Sequence, residues 1–189
     1  TLCGCGVQGR AHLPFLAAVL PLREVWLVDP DEASVRRAAD EATGLGLIPR
    51  RAPDLAAAAR ASDVVVTCTP SRRPLLDDAD VPPGAFVAGV GADNPQKHEL
   101  APALLARARV VVDVLAQCAV MGDLHHAIAG GALRAEDVHA ELGQVLAGAA
   151  AARTREDERF VFDSTGMALQ DVAAAALVYE RARAAGRGV

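Results

Sequence analysis

Three glycines near the start of the chain, Gly4, Gly6 and Gly9, form a G-x-G-x-x-G pattern that constrains the fold more than any other feature. This spacing is typical of a strand that turns tightly into a helix, with a pyrophosphate bound at the N-terminus of that helix. Gly4 permits the tight turn, Gly6 lets the backbone approach the phosphates, and Gly9 allows close helix–strand packing. Taken alone, the pattern also fits a glycine turn that binds no ligand.

An acidic residue at the end of the next apolar segment strengthens the dinucleotide interpretation. Residues 24–29 are typical of a second strand, and Asp29 ends it about 20 residues after the glycines, where this fold uses an acid to bind a ribose diol. A carboxylate there repels a 2′-phosphate, so Asp29 favours NAD over NADP as the cofactor. Arg36 and Arg37 lie nearby and leave NADP open, although both also fit the solvated face of a helix.

Apolar, β-branched segments alternate with helical segments along the rest of the chain. This alternation predicts an α/β fold: a doubly wound, mostly parallel sheet of the Rossmann NAD(P)-binding type with C-terminal helices. We expect a first strand ending at Cys3 and later strands at residues 24–29, 45–48, 63–70, 85–91, 110–114 and 160–163. We expect helices at residues 8–19, 31–43, 54–61, 104–108, 116–129 and 135–147, and a last one ending near residue 185. Pro14 is tolerated only near the start of the first helix.

Composition excludes several other classes of function. The net charge is −5 and no basic run interleaved with aromatic residues occurs, which argues against a nucleic-acid partner. The four cysteines form no C-x-x-C pair, so we expect no metal site and a reduced, cytoplasmic setting. No signal peptide and no apolar run of membrane-spanning length is present, so we expect no membrane partner.

Polar residues at the ends of two predicted strands are candidates for the site. Thr67 and Thr69 lie at the carboxyl end of a buried strand, where they fit either a cofactor contact or ordinary strand threonines. Asp93 and Lys97 follow the next strand and offer a carboxylate and an ammonium to a reacting centre. The alternative is a helix-capping Asp93 in an i,i+4 ion pair with Lys97, and spacing alone favours it. Asp113 fits a cap and a site residue equally well.

Three separated stretches, GCGVQG, GADNPQKHEL and FDSTGMALQD, together resemble the ornithine cyclodeaminase/mu-crystallin family. The resemblance runs from Thr1 to the final helix. It implies a Rossmann domain coupled to a second domain, built largely from a preceding region, that carries substrate-binding and dimer-forming elements. It also implies hydride transfer between a nicotinamide and the carbon of a small amino acid or imine.

The resemblance assigns roles to individual residues. Val7 and Gln8 match pyrophosphate contacts, Val90 to Ala92 line the nicotinamide side, and Lys97 and Ser164 match cofactor contacts. Asp93 matches the catalytic aspartate of the cyclodeaminase branch and a substrate contact, and Thr165 lies beside the substrate. The expected cofactor-binding set is Gly4, Gly6, Val7, Gln8, Gly9, Asp29, Thr67, Thr69, Val90, Gly91, Ala92, Lys97 and Ser164.

The presence of Asp93 with Lys97 makes a cyclodeaminase the leading hypothesis, in which an ornithine-like substrate closes to a proline-type ring and releases ammonia. Imine reduction or alanine dehydrogenation, and a non-catalytic NAD(P)-binding module, are the alternatives. We expect residues 1–189 to form one dinucleotide-binding domain, with residues 115–189 packing toward an N-terminal substrate domain outside this chain. Homodimerisation is expected through that region or a partner chain. The arginines and lysine that hold the substrate carboxylate in this family have no match here, so this chain should bind cofactor better than it catalyses.

Overall fold

The computed structural model describes residues 1–188 and contains one large sheet, one small sheet and eight α-helices among those residues. The strands are β1 (Leu2–Cys3), β2 (Glu24–Val28), β3 (Ile48–Arg51), β4 (Val64–Thr67), β5 (Arg72–Leu76), β6 (Phe86–Gly89), β7 (His98–Leu100), β8 (Arg109–Val112), β9 (Ala140–Glu141) and β10 (Phe160–Asp163). The helices are α1 (Val7–Val19), α2 (Glu32–Gly44), α3 (Leu55–Arg60), α4 (Pro102–Arg107), α5 (Leu115–Cys118), α6 (Gly122–Ala129), α7 (Leu142–Leu146) and α8 (Ala168–Ala184).

The large sheet has the strand order β3-β2-β1-β4-β6-β10-β8-β9, and every strand pair in it is parallel. Leu2 of β1 pairs with Leu27 on one side and with Val66 on the other. The chain therefore builds outward from β1 in one direction and then continues from β4 in the other. The carboxyl ends of β1 and β4 flank the point where the order reverses, which is where open α/β sheets bind ligands. The predicted doubly wound sheet is confirmed.

Apolar side chains cover both faces of the sheet. Val65 and Val87 pack into a cluster with α4 and α6, while Val66 and Ala88 pack into the opposite cluster with α1 and α2. Since side chains alternate along a strand, β4 and β6 are apolar at every position that contacts a helix layer. The continuous apolar runs in the sequence are explained by this burial on both sides.

The third strand lies further along the chain than the predicted residues 45–48. Leu45 follows the end of α2 and its N–H donates to Glu41, and Leu47 packs into the core before the strand begins. The strand is Ile48–Arg51 and pairs only with β2, so it is an edge strand. The side chains of this edge strand are mostly exposed, and two of them are arginines. The strand therefore lacks the apolar run from which a buried strand is predicted.

Two predicted helices are interrupted. The segment 116–129 is divided into α5 and α6, because Gly122 adopts φ +83° at the junction. A β-carbon at Gly122 would lie 2.7 Å from Cγ2 of Thr165, so both the conformation and the space require glycine. The segment 135–147 begins with a 3₁₀ turn, then adds β9 to the sheet, and ends as α7.

The helix α1 continues through Pro14, which lies in its second half rather than near its start.

The small sheet of β5 and β7 was not predicted at all, because β5 has the sequence Arg-Arg-Pro-Leu-Leu, with little strand character. The final helix is confirmed as α8, and all of its large apolar side chains are exposed in the described chain. No helix within residues 1–188 has the length and apolar content needed to cross a bilayer.

Candidate functional site

The glycine turn between β1 and α1 leaves no room for side chains at two of its three glycines. Gly4 has φ +91°, and its N–H donates to the carbonyl of Val28 at 2.9 Å. A β-carbon on Gly4 would lie 2.4 Å from the carbonyl oxygen of Cys68, and one on Gly9 would lie 1.8 Å from the carbonyl oxygen of Gly4. A β-carbon on Gly6 would meet nothing within 4 Å. Gly6 therefore faces open space, while Gly4 and Gly9 close the strand–helix contact.

The N-terminus of α1 presents backbone donors to that open space. The hydrogen bonds of residues 1–188 include no acceptor for the N–H groups of Val7, Gln8 and Gly9; the first helical bond runs from Arg10 to Gly6 at 3.0 Å. The N-cap residue Gly6 offers no side-chain oxygen, and the first turn holds no acidic residue. Free N–H groups and the positive end of the helix dipole form an anion site.

Asp29 lies directly beside the glycine turn. Its carboxylate accepts hydrogen bonds from the N–H of Cys5 at 2.7 Å and from the N–H of Asp31 at 2.8 Å. These two bonds fix the end of β2 against the turn. Each carboxylate oxygen retains a lone pair, so Asp29 can also accept from hydroxyl groups of a ligand.

Glu99, a residue the sequence analysis did not single out, connects the ends of β4 and β6. Its carboxylate accepts hydrogen bonds from Oγ1 of Thr67 at 2.9 Å, from both the N–H and Oγ1 of Thr69 at 2.7 Å, and from the N–H of Gly91 at 2.8 Å. Glu99 is completely buried, and this burial raises its pKa against the opposing effect of the hydrogen bonds. The hydroxyls of Thr67 and Thr69 are thus engaged internally.

Asp113 performs the same task for the loop after β10. One carboxylate oxygen accepts from Oγ of Ser164 at 3.0 Å and from the N–H groups of Thr165 at 2.9 Å and Gly166 at 2.8 Å. The other oxygen accepts from the thiol of Cys118 at 3.0 Å. Asp113, which fitted a cap and a site residue equally well in the sequence, holds the loop that carries Ser164 and Thr165.

The segment with Asp93 and Lys97 forms a turn and not a helix. Asn94 Oδ1 accepts from the N–H of Gln96 at 3.0 Å and of Lys97 at 3.2 Å, which closes the turn. The Nζ of Lys97 lies 2.8 Å from the Asp93 carboxylate. The ion pair is therefore present, but the helix-capping alternative for Asp93 is wrong. The Asp93 side chain is 55% exposed, so its carboxylate remains open to a ligand.

The predicted residues form one continuous edge along the carboxyl ends of the strands. A β-carbon on Gly4 would lie 3.0 Å from Cγ2 of Thr69, and one on Gly122 would lie 2.7 Å from Cγ2 of Thr165 and 3.2 Å from the carbonyl oxygen of Ala92. The glycine turn thus adjoins Thr69, and the loop of Ala92 adjoins Thr165. Donors for an anion, an acceptor for hydroxyls, and an exposed carboxylate paired with the half-buried Lys97 share this edge. This arrangement suits an extended ligand with a phosphate and a sugar at one end.

Comparison with known proteins agrees with this geometry. The model of the ornithine cyclodeaminase/mu-crystallin family matches residues 1–186. The chain belongs to this family. A putative dehydrogenase of Rhizobium meliloti is 42% identical over 186 residues, which cover 98% of this chain and 56% of the relative.

Two solved structures of related proteins have the same fold. An archaeal alanine dehydrogenase dimer with bound NAD superposes with a TM-score of 0.94 at 37% identity and covers 99% of this chain and 58% of its own. The iminosuccinate reductase of Paracoccus denitrificans in complex with NAD⁺ gives a TM-score of 0.91 at 38% identity, with 97% and 56% covered. The chain therefore spans a little over half the length of the relatives it matches.

Within this family member, two more buried carboxylates lie under the site and were missed in the sequence. Asp163 accepts from the N–H groups of Asp123 at 3.4 Å and Leu124 at 2.8 Å, at the N-terminus of α6. Asp123 Oδ1 accepts from the N–H groups of Glu99 at 2.7 Å and Leu100 at 3.0 Å. Burial raises the pKa of Asp163 to about 7 and the pKa of Asp123 well above its usual range. The signal available in the sequence was an acid directly after or inside an apolar run.

Proposed function

We propose that this chain is the NAD-binding portion of an oxidoreductase that transfers hydride between a nicotinamide and the amine-bearing carbon of a small amino acid or its imine. The observation that carries the proposal is the shared edge on which the free N–H groups of α1, the carboxylate of Asp29 and the Asp93–Lys97 pair lie together. The two related structures that hold NAD support it, because they share this fold at more than a third identity.

The structure of the turn supports our proposal for the cofactor half of the site. The N–H groups of Val7, Gln8 and Gly9 would bind the pyrophosphate, and the open space at Gly6 would admit it. Asp29 would accept from the ribose hydroxyls. Its negative charge would repel a 2′-phosphate, so we propose NAD and not NADP as the preferred cofactor. The nicotinamide would lie against the segment Val90 to Ala92. Glu99 fixes this segment by accepting a hydrogen bond from the N–H of Gly91.

The residues that act on the substrate lie in the turn after β6. When bound, the nicotinamide supplies a hydride acceptor or donor at a single carbon. The ion pair with Lys97, 2.8 Å from Nζ to the carboxylate, would hold the Asp93 side chain in a fixed direction. Asp93 would take the proton from the substrate amine and return it, and Thr165 on the neighbouring loop would help orient the substrate.

Two activities within this reaction class remain as candidates. The pairing of Asp93 with Lys97 favours an amino-acid cyclodeaminase, in which a second amine of an ornithine-like substrate attacks the oxidised carbon and ammonia leaves. The alanine dehydrogenase and iminosuccinate reductase among the related structures favour simple oxidation of an amino acid or reduction of an imine. A module that binds NAD without catalysis is the third candidate.

Product analysis on the full-length protein separates these candidates. One set of samples contains NAD⁺ with either L-ornithine or L-alanine, and another contains NADH, pyruvate and ammonia. NADH is followed by its absorbance, and the amounts of proline and ammonia are measured separately. Proline and ammonia without accumulation of NADH identify a cyclodeaminase. Accumulation of NADH with alanine, or its consumption with the imine, identifies a dehydrogenase or reductase. Binding of NADH without turnover of any of these substrates would contradict the proposed catalysis.

We further propose that residues 115–189 pack toward a substrate-binding region of the full-length protein, which would be a homodimer. The support is α8, whose Leu169, Val172, Val178 and Tyr179 side chains are exposed in the described chain. The related alanine dehydrogenase is a dimer. Light scattering of the full-length protein tests this, and a monomer at micromolar concentration would contradict the dimer.

A further inference from the structure

Two stacked imidazole rings contact the turn that carries Asp93 and Lys97. The rings belong to His98, at the start of β7, and His126, in the second turn of α6. They are nearly parallel, with centroids 3.9 Å apart and an angle of 11° between their planes. The N–H of His98 also donates to the carbonyl of Ser71 at 2.8 Å, which fixes the strand under this ring. The stack therefore joins α6 to β7, and the reaction proposed above assigns no role to either ring.

Each ring is oriented by one hydrogen bond to a backbone carbonyl. Nε2 of His126 lies 2.8 Å from the carbonyl oxygen of Lys97, and Nε2 of His98 lies 3.0 Å from that of Leu100. Since a carbonyl oxygen can only accept, each Nε2 must carry a proton, which gives both rings the same tautomer. His126 therefore donates to the residue whose ammonium pairs with Asp93.

Stacking at this distance is stable only if the two rings do not both carry a positive charge. Burial lowers the pKa of His98, and the neighbouring His126 lowers it further, against the opposing effect of the hydrogen bond to Leu100. His98 is therefore neutral at pH 7. An uncharged ring at 3.9 Å keeps the plane of the His126 ring fixed without repelling it.

The backbone of Lys97 is held from two directions. Its N–H lies 3.2 Å from Oδ1 of Asn94 and 3.2 Å from the carbonyl oxygen of the same residue, and both of these hydrogen bonds lie within the turn. Its carbonyl is held from α6 by the shorter bond to His126. The Lys97 side chain extends from this backbone, and its Nζ lies 2.8 Å from the Asp93 carboxylate. The direction of the ion pair therefore depends on both supports.

The attachment of α6 to the sheet does not depend on His126. Oδ1 of Asp123, in the first turn of the helix, accepts from the N–H groups of Glu99 at 2.7 Å and Leu100 at 3.0 Å. These buried hydrogen bonds remain when the His126 side chain is changed. A substitution at His126 therefore acts on the turn while the helix stays in place.

We propose that His126 is a positioning residue for the Asp93–Lys97 pair. Its Nε2–H holds the carbonyl of Lys97, and the stacked ring of His98 keeps this donor in the right direction. The inference rests on the proposed function, because it is that function which gives the pair a task in the reaction. His126 acts through Lys97, so its loss should lower the rate of the reaction more than the binding of the cofactor.

The substitutions His126→Gln and His126→Met form a matched pair. Both remove the imidazole and its stacking, and both introduce an unbranched side chain of similar length. The amide nitrogen of glutamine is as many bonds from Cα as Nε2 of histidine, so it can still donate to the Lys97 carbonyl, whereas methionine has no donor. His125→Gln is the control on the same helix, because Nδ1 of His125 lies 3.4 Å from the carbonyl oxygen of Ala119 and not near the turn.

Two readouts are measured on the full-length protein. The first is steady-state kinetics with the nicotinamide cofactor and the substrate that the protein turns over. We expect His126→Met to lower kcat about tenfold or more, and to change the KM for the cofactor by less than about twofold, because the N–H groups of α1 are untouched. The second readout is amide hydrogen exchange of the peptide that covers residues 92–99, which should be faster in His126→Met. His126→Gln should restore both readouts toward wild type, and His125→Gln should leave both unchanged.

Two results would overturn the role of the donor: equal effects of His126→Met and His126→Gln, or wild-type behaviour of His126→Met. Faster exchange of the peptide with an unchanged kcat would show a structural role alone and overturn the positioning. If His126→Met does not fold, His98→Leu is measured instead. It keeps the donor but removes the ring that orients it, so it should give the same changes to a smaller degree, and wild-type readouts would contradict the proposal.

Hydrogen exchange also separates this inference from the proposed function. If no substrate is turned over by any of the proteins, but the peptide exchanges faster in His126→Met and not in His126→Gln, the proposed function fails. The support of the turn by His126 then stands. Turnover by wild type with no difference between the two His126 variants in either readout gives the opposite result.

Discussion

Replacing Gly9 by alanine should destabilise the protein strongly, while replacing Gly6 should not. The new β-carbon at Gly9 would lie 1.8 Å from the carbonyl oxygen of Gly4, a contact that needs at least about 3 Å. The helix α1 must therefore move away from β1 by more than 1 Å. Overpacking of this kind costs ~1–3 kcal/mol. The shift also exposes part of buried Leu13, which adds ~1 kcal/mol.

The control Gly6→Ala introduces the same methyl group in the same turn. It meets no atom within 4 Å, and the φ of −67° at Gly6 suits alanine. Alanine is a poorer N-cap than glycine by roughly 0.5–1 kcal/mol, and it stabilises by a similar amount because it reduces the entropy of the unfolded chain. These effects nearly cancel. The methyl would, however, occupy the space through which a pyrophosphate reaches the N–H groups of Val7 and Gln8.

The assay is urea unfolding together with NADH titration on the two variants. We expect Gly9→Ala to lose ~2–4 kcal/mol of unfolding free energy and about 5–10 °C in Tm. We expect Gly6→Ala to stay within ~0.5 kcal/mol of wild type and to bind NADH at least about tenfold more weakly, a loss of ~1.4 kcal/mol. Equal stability of the two variants would refute the close-contact reasoning, and unchanged NADH affinity of Gly6→Ala would refute the anion site.

Three other substitutions test the remaining parts of the site. Glu99→Gln must place an NH₂ against the N–H of Gly91 or of Thr69 in either orientation, so it should cost ~1–3 kcal/mol in urea unfolding, and unchanged stability would refute this role. Asp93→Asn should lower turnover by about 10²–10⁴-fold in the full-length enzyme while NADH still binds; full turnover would exclude Asp93 as the base. Asp29→Asn should raise the affinity for NADPH relative to NADH, measured by fluorescence titration of both, because it removes the charge that repels a 2′-phosphate.

The elements that were predicted correctly from the sequence are those whose own residues are buried and therefore apolar. The cores of β4, β6, β8 and β10 are continuous apolar runs because helices cover both sides of the sheet. The edge strand β3 has solvent on its free side, so its position depends on pairing with β2 and not on its own residues. The prediction therefore placed it several residues too early.

The errors beyond residue 115 have a tertiary origin. The helix predicted through residues 116–129 is interrupted because Gly122 must pass close to Thr165, which lies more than 40 residues later in the chain. Strand β9 forms because the N–H of His139 donates to Val110, and no local pattern requires this. Contacts between residues so far apart in the chain leave no hydrophobic periodicity in the sequence.

The site residues divide in the same way, into those that a local motif reveals and those whose partners lie far along the chain. The glycine turn, Asp29, and the Asp93–Lys97 and Ser164–Thr165 segments were recognised because each lies within a compact motif. Glu99 and Asp123 were missed, since their partners lie up to 32 residues away and their roles depend on hydrogen bonds to backbone. The roles assigned to the individual site residues stay predictions until the variants above are measured.

The way in which Glu99 and Asp113 hold the site loops bears on how this site can change under mutation. Glu99 and Asp113 bind the loops in part through the N–H groups of Thr69, Gly91, Thr165 and Gly166. Every amino acid except proline supplies an N–H, so a substitution at Thr165 keeps the hydrogen bond from the N–H of this residue to Asp113. The side chain that we propose contacts a substrate is thereby not the group that makes this backbone hydrogen bond. A scaffold of this kind can acquire a new substrate preference through single substitutions without first losing its shape.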